Sequence, residues 1–215
     1  MQIRILLADD HALIRHGVRR ILMSDAEFTV VAEASSGIET IDRAAECLPD
    51  VAIVDIGMRD LNGIDATVQI VKRCPETAVL ILSMYSDERY VWRAIRAGAK
   101  GYLLKDSVED DLLKAVRVVN SGHSFFSPLV ARLLADGFVR NIKNHQIDDR
   151  YELLTQRERQ IYQMLAEGRS NKDLANRLDL SVHTVETHRI RIMEKLGVHS
   201  AAELVLSAVR RGLVT

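Results

Sequence analysis

The first 121 residues alternate, five times over, a short apolar run with a longer amphipathic stretch. The strand-like runs cover 3–8, 28–34, 51–54, 79–83 and 102–104, and helical patterns cover 11–23, 37–48, 63–73, 88–97 and 108–121. A strand followed by a helix returns to the same sheet only through a parallel crossover. Runs that are apolar without alternation are buried on both faces. This pattern predicts an α/β fold: a doubly wound, five-stranded parallel sheet with helices on both sides. Such sheets bind ligands beyond the carboxyl ends of their strands, which makes those ends the first place to look for chemistry.

After Gly122 the pattern changes. Ser127-Pro128 has the form of an N-cap followed by proline in the first helical position, predicting a helix over about 128–140. Residues 141–150 mix Asn, Lys, His, Gln and Asp without apolar periodicity, and we read 122–150 as a linker containing that helix. From 151 to 215 the punctuation is helical. Thr155 with Glu158 and Ser200 with Glu203 have capping-box spacing, Ser170 with Asp173 resembles it, and Gly168 and Gly197 suit helix ends. The prediction is a small all-α domain of four helices, 156–167, 171–178, 182–196 and 201–211. Only Asp179-Leu180-Ser181 joins the second to the third, the short connection of a helix-turn-helix.

Composition narrows the setting. With 47% hydrophobic residues the chain can bury a core, yet its apolar runs are far too short to cross a bilayer. Cys47 and Cys74 lack metal-ligand spacing and suit a reducing compartment, so the expected location is cytoplasmic, without membrane contact. The net charge of −1 is uneven: residues 151–215 carry 10 Lys and Arg against 8 Asp and Glu, leaving 19 against 22 in the rest. That excess is compatible with nucleic acid but too small to decide it.

Polar residues stand at four of the strand ends: Asp9-Asp10 after the first, Asp55 after the third, Ser83 at the fourth and Lys105 after the fifth. In a parallel sheet these ends converge. Two like charges about 4 Å apart repel by roughly 4 kcal/mol at an effective dielectric of 20, so clustered carboxylates require a cation, a proton or a lysine. Hard oxygen donors with open positions suit Mg²⁺, which keeps waters and accepts a phosphate oxygen. Taken singly, an Asp after a strand is a common helix cap and a Ser is ordinary turn chemistry. Four strand ends together are not explained that way.

With these residues in place, 1–121 resembles the receiver domain of two-component response regulators, whose fold is flavodoxin-like. Leu7-Ala8-Asp9-Asp10-His11, Asp55 with Met58 and Gly63, Leu82-Ser83 and Lys100-Gly101-Tyr102-Leu103-Leu104-Lys105 carry the likeness, in order and spacing. The resemblance implies that Asp55 accepts a phosphoryl group from a sensor histidine kinase. It further implies that Asp10, Asp55 and the Gly57 carbonyl hold Mg²⁺ with help from Asp9, and that Lys105 and Ser83 stabilise the phosphoryl group. Ser83 and Tyr102 would form the switch. The protein would then be no turnover enzyme but a phosphoacceptor that catalyses its own phosphotransfer and dephosphorylation. Two positions depart from the pattern: Arg59 replaces the usual proline after Met58, predicting a looser loop, and Gly57 offers no side chain to shield the acyl phosphate.

Residues 151–215 resemble the LuxR-type helix-turn-helix domain of the NarL/FixJ family. The matching strings are Leu154-Thr155-Gln156-Arg157-Glu158, Ala166-Glu167-Gly168-Arg169-Ser170-Asn171-Lys172, Leu180-Ser181, Thr184-Val185, His188-Arg189 and Lys195-Leu196-Gly197-Val198. Helix 182–196 would enter the major groove of double-stranded promoter DNA. Helical spacing sends Val185, Ile192 and Leu196 to the core. His183, Glu186, Thr187, Ile190 and Arg191 are then candidates to face bases, and Thr184, His188, Arg189, Lys195, Asn171 and Lys172 to touch phosphates. Leu204, Val205, Ala208 and Val209 form an apolar stripe on the last helix, a dimer surface or core.

The combined expectation is a transcription regulator switched by phosphorylation of Asp55, dimerising when phosphorylated, with RNA polymerase a further candidate partner. Two rivals stand beside it. An aspartate-nucleophile phosphatase shares the Asp–Mg²⁺ chemistry, but such enzymes carry Asp-x-Asp after the first strand, whereas here Asp9 and Asp10 are adjacent and followed by His11. A constitutive DNA binder with a non-switching receiver has no use for the full set of Asp9, Asp10, Asp55, Ser83 and Lys105.

Overall fold

A computed structural model describes residues 2–143 and 150–214, and the side chains of 137–143 are outside that description. The chain divides into two compact units, Met1–His145 and Gln146–Thr215.

The first unit follows the predicted alternation. Its strands are β1 (Ile3–Ala8), β2 (Phe28–Ala34), β3 (Val51–Asp55), β4 (Ala78–Ser83), β5 (Gly101–Leu104) and β6 (Phe125–Phe126). Its helices are α1 (Ala12–Leu22), α2 (Gly37–Cys47), α3 (Gly63–Arg73), α4 (Glu88–Arg96), α5 (Val108–Asn120) and α6 (Pro128–Lys143). The sheet runs β2-β1-β3-β4-β5-β6 and every neighbouring pair is parallel. Strand order reverses between β1 and β3, and this is the switch point at which α/β sheets of this kind open a crevice. Because each strand is covered on both faces, the two sides form separate cores. Leu6, Val54 and Ile81 face one with Val91 and Ala94, while Leu7, Ile53 and Leu82 face the other with Leu112 and Val116.

Two features correct the sequence reading. Among the described residues the sheet has six strands, because Phe125 and Phe126 pair with Gly101 and Tyr102 at its edge. Two residues are too few to show a period, so nothing local marks them as a strand. The helix expected inside a linker packs on α4, with Val130 fully buried and Leu134 against the same core as Tyr102. Ser127 precedes that helix as expected, yet its Oγ is buried without a hydrogen bond. The connecting stretch expected over 141–150 lies mostly outside the described residues.

In the second unit a short 3₁₀ turn, Arg150–Leu153, precedes α7 (Gln156–Ala166), α8 (Asn171–Leu178), α9 (Val182–Leu196) and α10 (Ala201–Arg210). Thr155 with Glu158 and Ser170 with Asp173 form full capping boxes. Ser200 caps α10, but the Glu203 carboxylate takes the N–H of His199 at 2.7 Å, not that of Ser200, so the box is displaced by one residue. Asp179 turns left-handed (φ 52°) to end α8, and Gly197 (φ 67°) ends α9 where glycine carries no Cβ penalty.

Candidate functional site

The strand ends do converge. β1 delivers Asp9, 1% exposed, and β3 ends in Asp55, 4% exposed, each an isolated carboxylate that burial alone would disfavour. Lys105, just past β5, answers both: its Nζ stands 2.7 Å from Asp9 Oδ2 and 3.1 Å from Asp55 Oδ1. Burial works against the Lys105 charge, but the two aspartates outweigh it and hold the ammonium above its ordinary range. Asp55 settles the other way. Desolvation, with Asp9 and Asp10 adding repulsion, raises its carboxyl to about 6 despite Lys105.

The Asp9 loop is braced from outside. The backbone N–H of His11 donates to Asp9 Oδ1 at 2.8 Å, and Arg15, paired to Glu33, donates to the Asp9 carbonyl at 2.6 Å. Asp10 is half-buried at the rim, and its Oδ1 is buried with no well-aligned hydrogen bond. Lys105 thus answers Asp9 and Asp55 but not Asp10, and the three carboxylates form a donor set of hard oxygens that fits a divalent cation. Asp9, Asp10, His11 and Asp55 each offer one donor atom, all within 4.8 Å of one another.

The loop after Asp55 is pinned despite Arg59. Met58 is buried and takes a contact from Thr40 Oγ1 at 3.8 Å, and the Gly63 N–H donates to the Ile56 carbonyl at 3.0 Å. Arg59 is exposed, and its carbonyl accepts from Leu61 at 2.8 Å and Gly37 at 3.4 Å. Backbone bonding thus supplies the order that a proline would otherwise impose. A Cβ on Gly63 would overlap the Asp55 carbonyl oxygen, which explains glycine there. A Cβ on Gly57 would meet only Asp55 Oδ2, at 3.5 Å, so that oxygen has an open approach while Oδ1 faces Lys105.

Ser83, fully buried at the end of β4, accepts from the Tyr85 N–H at 3.0 Å. Tyr102 lies one strand over, its ring buried and its hydroxyl donating to the Tyr85 carbonyl at 2.6 Å. Tyr85 in turn stacks on Tyr90 of α4, with ring centroids 4.7 Å apart. Sequence reading passed over Tyr85, whose role is set by a partner seventeen residues away.

In the second unit Val185, Ile192 and Leu196 are buried as their spacing requires. His183, Glu186, Ile190 and Arg191 are exposed along α9, and Lys172 is exposed on α8, while Asn171, Thr184, Thr187, His188 and Arg189 are half-buried. Some of these side chains already have work to do. Thr184 Oγ1 lies 2.8 Å from Ser181 Oγ, and Thr187 donates to the His183 carbonyl at 3.0 Å. Lys195 Nζ is 2.6 Å from Glu158 Oε2, tying α9 to the cap of α7, so its ammonium is not a free phosphate contact. Burial works against Glu158's charge, but the bonds from Lys195 and Thr155 win and hold its carboxyl below the ordinary range. The α10 stripe divides: Leu204 and Ala208 are core, and Val205 and Val209 are exposed with Leu206.

Comparison with known proteins agrees with this architecture. Residues 5–117 match the response regulator receiver domain, and 152–208 match the bacterial regulatory proteins of the luxR family. The oxygen regulatory protein NreC of Staphylococcus carnosus is 38% identical over 98% of this chain and 99% of its own length, and that of Staphylococcus epidermidis is equally similar. Among solved structures, response regulator ChrA of a heme-sensing two-component system is 38% identical over 99% of both chains, with a TM-score of 0.53. A LuxR-family response regulator from Aurantimonas sp. SI85-9A1 covers 65% of this chain and 99% of its own at 32% identity and a TM-score of 0.62. The response regulator RcsB in complex with DNA covers 97% of this chain and all of its own at 26% identity and a TM-score of 0.59.

Proposed function

The chain belongs to the two-component response regulators in which a receiver domain precedes a LuxR-type DNA-binding domain, a family of transcription regulators, and from that premise we propose that Asp55 is its phosphoacceptor. In this reading the receiver signature spans 1–121, β6 and α6 complete its sheet and core, and the DNA-binding domain spans 151–215. The observation that carries it is Lys105 standing between Asp9 and Asp55, because one buried lysine facing two buried carboxylates leaves an anionic site short of positive charge.

Asp55 Oδ2, open on its Gly57 side, is the oxygen placed to attack phosphorus, the donor being a sensor kinase's phosphohistidine. Lys105 then pairs with the transferred group, and Ser83 donates its hydroxyl to it. Asp9, Asp10, Asp55 and the Gly57 carbonyl are the residues that would hold Mg²⁺, which when bound supplies charge neutralisation on the phosphoryl oxygens. Drawing Ser83 toward the phosphoryl group removes its bond to the Tyr85 N–H, and the loop carrying Tyr85 is where Tyr102 is anchored. The change is a local electrostatic event that biases a packed element between two arrangements.

The output is binding of promoter DNA by α9, with His183, Glu186, Thr187, Ile190 and Arg191 toward bases and Asn171, Lys172, Thr184, His188 and Arg189 toward phosphates. Val205, Leu206 and Val209 form the surface on which two copies meet. The protein acts in the cytoplasm. Operator selection from random DNA tests the whole reading, using untreated protein, protein treated with acetyl phosphate and Mg²⁺, and Asp55→Ala. Enrichment confined to the treated wild type is expected, and identical selection in all three defeats the switch.

A further inference from the structure

His11 stands at the rim of the acidic cluster in a place that the proposed phosphoryl chemistry does not use. It occupies the N-cap of α1, yet its side chain makes no capping hydrogen bond. Instead the imidazole turns to the aspartates: Nδ1 lies 2.7 Å from Asp10 Oδ1 and 3.5 Å from Asp9 Oδ1. Neighbouring donors on an octahedral ion with bonds near 2.1 Å stand about 3 Å apart. The nitrogen is thus set at ligand spacing from two carboxylate oxygens, on the open side of the cluster. Asp9 Oδ1 is itself fixed by the backbone N–H of the same residue, so carboxylate and imidazole are positioned by one stretch of chain.

We propose that the His11 imidazole is a ligand of the cation site, and that the site thereby favours first-row transition cations such as Mn²⁺ and Co²⁺ over Mg²⁺. The physical reason is ligand chemistry. Mg²⁺ is a hard ion that gains little from exchanging a water for imidazole, whereas transition ions bind nitrogen well. This rests on reading the acidic cluster as a cation site at all. The alternative role for His11 is a counter-ion to Asp10, and it predicts the opposite sign: a positive ring repels an incoming cation, so removing it strengthens binding of every ion.

The test uses the full chain, with Mn²⁺, Co²⁺ and Mg²⁺ affinities measured by titration calorimetry and the Mn²⁺ environment read by pulsed electron paramagnetic resonance. Wild type should show ¹⁴N coupling to bound Mn²⁺, and His11→Ala should lose it. The Mn²⁺-to-Mg²⁺ affinity ratio should fall by about tenfold in His11→Ala and in His11→Asn. Absence of nitrogen coupling in wild type, or an affinity gain for all ions in His11→Ala, overturns the inference. Asp10→Asn separates the two levels. If it weakens all three ions while the His11 variants alter no ratio, only the histidine ligand is lost; if it weakens none, the acidic cation site falls with it.

Discussion

The hydroxyl of Tyr102 donates a 2.6 Å hydrogen bond to the backbone carbonyl of Tyr85, with the ring wholly buried. This bond links β5 to the loop that follows Ser83. Tyr102→Phe keeps the ring and removes the donor, leaving the Tyr85 carbonyl short of a partner. Urea unfolding should show a loss of about 1 kcal/mol, with phosphoryl uptake from acetyl phosphate retained. No change in stability would mean the bond is not formed in solution.

Asp55 carries a pH signature in the metal-free protein. Its folded value of about 6 lies above the ordinary 3.8, so the folded state holds the proton more tightly than the unfolded chain. The stability this contributes is therefore full below about pH 4 and is lost as pH rises through about 6, at most about 3 kcal/mol. In EDTA, Asp55→Asn should exceed wild type in stability at pH 7 by up to that amount, and the difference should shrink toward pH 4. A gap independent of pH would refute the raised value.

Two glycines beside Asp55 should respond differently to substitution. Gly63→Ala drives a Cβ into the Asp55 carbonyl and should cost about 2 kcal/mol or more in thermal or urea unfolding. Gly57→Asn enters open space next to Asp55 Oδ2, so the fold should persist while hydrolysis of the acyl phosphate slows several-fold. Unchanged dephosphorylation in Gly57→Asn removes the shielding argument.

Lys195 and Arg189 separate a positioning role from DNA contact. Lys195→Met strips the partner from Glu158 and should destabilise the DNA-binding unit by about 1–2 kcal/mol, with the salt dependence of DNA binding unaltered. Arg189→Ala should leave stability nearly intact and lower the slope of log K against log salt by about 1. Measuring both variants by melting and by fluorescence anisotropy over a salt series checks the assignment. A reduced slope in Lys195→Met would return it to the phosphate contacts.

Glu186 is exposed on α9, where a carboxylate near phosphates is unfavourable unless it accepts from a cytosine amino group. Glu186→Ala should relax base preference at one operator position. Equal affinity changes across all operator variants would count against base reading.

What could be read from the chain was what depends on near neighbours. Short apolar runs, period-3.6 patterning, caps three residues apart and glycine helix ends are local relations, and they located ten of the helices and five of the strands to within three residues. Asp9, Asp10, Asp55, Ser83 and Lys105 could be singled out because a parallel sheet must gather its carboxyl ends on one side. The tertiary structure decided what distant residues do to one another. Phe125 and Phe126 became a strand because the edge of β5 was free to pair, and the helix after them found Val130 a place in the receiver core. Lys195 turned to Glu158 thirty-seven residues earlier, and Tyr102 to the Tyr85 carbonyl seventeen residues earlier. Those choices follow from packing and charge compensation between elements, which no local spacing encodes.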